Sequence, residues 1–199
     1  LWNGTYCGGA NVYKAPWVSS AGTKTSMPYA WGGWSTTAEF NTAMSGCKSA
    51  GQVCSSVGGG CTGFPSAPLS CAGGHDCSGL VSRAWGLTSK YSTNTLPNIS
   101  TAIGLTSTQP GDILNDAGSH VMLVETNNGN GNYQVIEARG GDWKCVQHSY
   151  TTAQLSGYEP RCPDPDVVDG GCSILAPVND NCPGAITFPD RKSTRLNSS

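Results

Sequence analysis

Charge is scarce in this chain. Only 12% of its 199 residues are Asp, Glu, Lys or Arg, and eleven basic residues face thirteen acidic ones. The formal net charge of −2 gives no electrostatic case for nucleic acid as a partner. Long hydrophobic runs are missing too. No apolar stretch approaches the ~20 residues a membrane-spanning helix needs, so no transmembrane segment is expected. There is no second Cys-x-x-Cys pair of the kind that completes a four-ligand zinc site. Nor does a methionine or a signal peptide open the chain. It begins at Leu1, and the start reads as trimmed or incomplete.

Cysteine and glycine, by contrast, are plentiful, at ten and 27 residues. Ten cysteines point to disulfides in an oxidising compartment, hence a secreted or cell-envelope protein. One cysteine is placed for chemistry rather than crosslinking. From Cys77, the residues Leu80, Val81, Ala84 and Trp85 fall at i+3, i+4, i+7 and i+8, one stripe of an amphipathic helix. Gly73 and Gly74 allow a tight turn into it. Cys77 would sit in the first turn, where free N–H groups and the positive end of the helix dipole favour a thiolate.

A base is expected from a β-hairpin. Gln109–Leu114 reads as a turn feeding a strand, His120–Glu125 as a second strand and Tyr133–Ala138 as a third, with an Asn/Gly loop over Asn127–Asn132. A turn centred between Asn128 and Gly129 sets His120 opposite Glu137, Met122 opposite Val135 and Val124 opposite Tyr133. Alternation then puts all six side chains on one face, the one expected to pack against the Cys77 helix.

Taken in order, Pro28-Tyr29-Ala30-Trp31-Gly32-Gly33, Asp76-Cys77-Ser78-Gly79-Leu80-Val81, Pro110-Gly111-Asp112 and Ser119-His120-Val121 resemble the motifs of the NlpC / p-sixty cysteine peptidases, papain-like cell-wall hydrolases. The resemblance covers roughly Thr25 to Gly140. It implies an α+β, papain-like fold in which an N-terminal helical part carrying the nucleophile packs on a small antiparallel sheet or half-barrel. It also implies Cys77 as nucleophile, His120 as general base and Glu137 as the third, orienting residue, where many members carry histidine. Its glutamate would accept from imidazole Nδ1–H. Tyr29, Asp76, Ser78 and Ser119 are expected to bind substrate, Asp76 either by pairing with a substrate amine or by capping the helix. Gly32 and Gly33 are read as turn residues and Trp31 as core.

Activity implied by the resemblance is hydrolysis of amides in peptidoglycan stem peptides, commonly between γ-D-glutamyl and a diamino acid, through a thioester and without cofactor or metal. The partner is then peptidoglycan, and the setting bacterial. Cleavage of a muramoyl–L-alanine amide and a catalytically silent wall-binding module are the alternatives on the same scaffold. A zinc site from Cys71, His75, Cys77 and His120 is a weaker one. His148, outside every motif, is read as a surface residue.

The domain is expected over residues 1–159, with a disulfide-rich insert near 34–75. Thr36–Ala50 could be helical, with Phe40, Ala43, Met44 and Cys47 on one face, and two disulfides would lie within Cys47, Cys54, Cys61 and Cys71. Cys145 and Cys162 are expected to pair. Residues 160–177 have linker composition, and 178–190 look like the truncated start of a β-rich secreted module. The chain would then be a monomeric catalytic domain of a longer multidomain protein. The last nine residues, 191–199, resemble translated sequencing-adapter or cloning sequence. Without Arg191, Lys192 and Arg195, eight basic residues face thirteen acidic ones, and the balance is −5.

Overall fold

The computed structural model describes residues 17, 24–46, 48–52, 70–169 and 171–172. Over these it is a mixed α+β structure of two helices and a small antiparallel sheet. Helix α1 (Thr37–Ser45) starts at a capping box: the Thr36 hydroxyl accepts from the Glu39 N–H, and the Glu39 carboxylate accepts from the Thr36 N–H. Its C-cap is Gly46, short of the predicted Ala50. There the chain turns into β1 (Ser49–Ala50), which pairs in parallel with β2 (Ala72–Gly73). Helix α2 (Cys77–Ala84) follows directly, N-capped by Asp76.

Strand order in the main sheet is β3 (Ser100–Ala102), β8 (Glu159–Pro163), β4 (Ile113–Asp116), β5 (His120–Asn127), β6 (Asn132–Arg139) and β7 (Lys144–Thr151). Alternation buries both of its faces. Ile113, Val121 and Leu123 join Val81, Trp85 and Leu96 in the core beneath α2. Leu114, Met122, Val124, Tyr133 and Val135 form a second cluster with Leu155. The face against the helix is therefore the Val121/Leu123 face, not the Met122/Val124 face predicted. Gly111, of the Pro-Gly-Asp turn, accepts at its carbonyl from Trp85 Nε1 at 2.9 Å, which ties the end of α2 to the sheet.

The hairpin register also differs. Val124 pairs with Val135 rather than Tyr133, a slip of two residues, and a bulge between Val124 and Thr126 brings Asn127 opposite Tyr133. An even slip leaves every side chain on its face. His120 and Glu137 thus stay on one side of the sheet, as diagonal rather than direct neighbours.

Three other expectations change. The stretch with linker composition after Glu159 is strand β8, inserted between β3 and β4, so the domain runs past residue 159. Cys162 pairs with Cys172, while Cys145 is a free thiol. Cys145 lies on β7 and Cys162 on β8, with β4, β5 and β6 between them. At about 4.8 Å per strand step, the two are out of disulfide range. Trp31 is half-buried, and the indole filling the core is Trp85. Cys71 is disulfide-bonded, and the rest of the predicted staple set, Cys47, Cys54 and Cys61, lies outside the described residues, as does the 178–190 module. Among the described residues, no helix is long and apolar enough to cross a membrane.

The segment from Met27 to Gly33 stitches the two halves together. Cys145 N–H donates to the Met27 carbonyl and Tyr29 N–H to Trp143, both on the β7 side. On the helix side, Ala30 N–H donates to His75, His75 N–H to Pro28 and Asp76 N–H to Gly33. Backbone approaches backbone so closely here that a Cβ on Gly79 would lie 1.9 Å from the Gly33 carbonyl oxygen. Ser78, Gly79 and Ser82 of α2 are small and buried with Val81. Gly79→Ala should cost roughly 1–3 kcal/mol by overpacking, read as a lower urea midpoint at unchanged m-value.

Candidate active site

Cys77 is the first residue of α2, a half-buried free thiol packed against the core under the helix. His120 opens β5 at the end of the sheet nearest the start of α2, and its ring hydrogen-bonds to Cys77. The other ring contact is Nε2 to Glu137 Oε2, at 2.7 Å. The sequence had assigned that contact to Nδ1. With Nε2 on the carboxylate, Nδ1 is the nitrogen left for the thiol.

Glu137 is 1% exposed yet well partnered. Its Oε1 accepts from His148 Nδ1 and from the Tyr150 hydroxyl, each at 2.7 Å. Burial alone would raise its pKa, but bonds from His120, His148 and Tyr150 outweigh that and hold it down at about 2. An ionised carboxylate only accepts, so all three neighbours donate to it and the histidine tautomers follow. For His120, burial disfavours the charged ring. Hydrogen bonds to Cys77 and Glu137 prevail, and its pKa rises to about 9.

His148 is therefore no bystander. It sits on β7 opposite Val135, and Tyr150 opposite Tyr133, so Val146, His148 and Tyr150 share the face of Glu137. That period-2 pattern was readable in the sequence, but β7, the strand paired with β6, had not been placed. Asp142, 4.0 Å from His148 Nε2 and ion-paired with Arg139, extends the same chain. The Tyr158 ring meets His120 edge-on, with centroids 6.5 Å apart.

The four expected binding residues divide. Tyr29 lies near Cys77: burial first, then the charges of Cys77 and Asp76, push its phenol well above its ordinary pKa, so it stays a donor. Ser119 is exposed in the turn before β5. Ser78 is buried and donates to Asp76 Oδ1 at 3.2 Å, which makes it part of the helix cap. Asp76 is fully engaged. Oδ1 also accepts from Gly79 N–H at 2.7 Å, while Oδ2 accepts from Gly32 N–H at 2.8 Å and Lys90 Nζ at 2.6 Å.

No family model, no curated protein and no solved structure matches this chain. The chemistry must be argued from the site itself. A thiol, an imidazole and a buried carboxylate stand in series, which suits nucleophilic attack with proton transfer through the ring. The zinc set is broken, because Cys71 is tied up in a disulfide, and no cluster of three metal-ligating side chains occurs among the described residues.

Proposed function

We propose that the protein is a cysteine hydrolase of amide bonds, an NlpC / p-sixty type peptidase with a papain-like arrangement, acting on peptidoglycan stem peptides outside a bacterial cell. The observation that carries this reading is Cys77 at the start of α2, hydrogen-bonded to a ring whose far nitrogen rests on Glu137. Motif order and the Cys162–Cys172 disulfide support the substrate class and the compartment.

In the reaction, the proton of Cys77 rests on His120 Nδ1 as a thiolate–imidazolium pair, and Sγ attacks the amide carbonyl carbon. The Cys77 backbone N–H, free at the helix start, faces the developing oxyanion. The C–N bond breaks as the His120 imidazolium protonates the leaving amine. Water, deprotonated by the same ring, then cleaves the thioester and restores the thiol. Glu137 holds the ring throughout, itself held by His148 and Tyr150.

Digestion of purified peptidoglycan, with fragments identified by mass spectrometry, tests this directly. New amino termini on diamino acids are expected, and Cys77→Ala should produce none. Release of intact stems from the glycan would point instead to muramoyl–alanine amidase action. Unchanged sacculi that still retain the protein would leave a wall-binding module.

A further inference from the structure

Helix α2 ends at Ala84, and beyond Gly86 the chain runs back along it. Leu87 N–H donates to the Ser82 carbonyl, and Tyr91 N–H to the Ser82 hydroxyl, itself bonded to the Ser78 carbonyl one turn nearer the nucleophile. Leu87 and Tyr91 pack on the core beneath the helix. The loop between them thereby delivers Lys90 to the N-terminal end of α2, 14 residues from Asp76 in sequence, with Nζ at 2.6 Å from Oδ2. The side chains are 23% and 10% exposed, so the pair is largely withdrawn from water.

Four donors, Gly79 N–H, Ser78 Oγ, Gly32 N–H and Lys90 Nζ, now occupy a carboxylate with about four acceptor positions. Nothing is left on Asp76 for an incoming ammonium. Such a group would also approach a fixed ammonium of like charge, which costs most where water is excluded. Deepening the hydrolase reading above, we infer that Lys90 is a specificity residue: an internal ammonium that fills the carboxylate next to Cys77 and makes the site reject substrates that present a free amine to it. The substrates taken have that nitrogen already acylated, or carry an anion to which the remaining Lys90 N–H groups can donate.

Two peptides, L-alanyl-γ-D-glutamyl-diamino acid with a free amino terminus and the same peptide N-acetylated, test this at pH 7. Wild type should cleave the acetylated peptide with the higher kcat/KM, by about tenfold or more. The gap should narrow above pH ~8, as the alanine amine loses its charge. Lys90→Met uncovers Asp76, and Lys90→Gln removes the charge but keeps an N–H donor. Either should shift the ratio toward the free amine by about tenfold. A wild-type preference for the free amine, or a ratio that neither folded variant changes, overturns the role of Lys90 alone. Failure of wild type to cleave either peptide overturns the hydrolase reading and this inference with it.

Discussion

Cys77→Ala is expected to remove hydrolysis altogether, by about 10⁴-fold or more in kcat, with the fold intact. The side chain is half-buried, and its loss opens little space in the core below α2. Selective alkylation gives the same answer chemically. Among the described residues, only Cys77 and Cys145 are free thiols. Burial pushes Cys145 up to about 12, so at neutral pH it stays protonated and inert. Iodoacetamide should therefore label Cys77 well before Cys145, and labelling should track loss of activity. Full activity in protein alkylated at Cys77 would remove it as nucleophile.

Glu137→Ala should lower kcat by something like 10- to 10⁴-fold, less than loss of Cys77, because orientation rather than the attacking atom is removed. The pH profile separates this from general damage. In the wild type, bonds to Cys77 and Glu137 keep His120 charged up to about pH 9, so the leaving amine can be protonated until the alkaline limb falls there. Without the carboxylate, that limb should move to lower pH. Glu137→Gln is expected to retain part of the activity through its amide oxygen, with the same acidward movement. It cannot satisfy His120, His148 and Tyr150 together, since its NH₂ does not accept. Stability follows the same pair. The raised His120 pKa contributes fully below about 6.5 and is lost as pH rises through 9, while the lowered Glu137 pKa contributes above about 4.5 and is lost as pH falls toward 2. The native pairing is thus strongest between these limits, and wild-type activity with an unshifted profile in Glu137→Ala would remove Glu137 from its role.

Local pattern carried the core of the site. Helical spacing from Cys77 and alternation along His120–Glu125 and Tyr133–Ala138 placed α2, β5 and β6 to within a few residues. His120 and Glu137 met despite the wrong register, because a slip of two cannot change a strand's face. What stayed hidden depended on tertiary placement. Proline-rich Pro160–Pro163 reads as linker, yet it forms β8 inside the sheet. The cysteine pairing followed strand order, which the sequence does not state. Lys90 reached Asp76 only because Gly86 turns the chain back along α2.

The Met27–Gly33 stitch has a kinetic side. Its partners lie far along the chain: Met27 meets Cys145, and Gly32 meets Asp76. Closing such loops costs more entropy than forming a hairpin like β5–β6, so these bonds are expected late in folding. Helix and hairpin can form early, while the chain that fixes Asp76 and the start of α2 arrives afterwards. Until it does, and in the extracellular setting proposed above, Cys77 is one reduced thiol among ten cysteines open to oxidation. The order of closure, as much as the final geometry, then decides whether the nucleophile survives as a thiol or ends in a wrong disulfide.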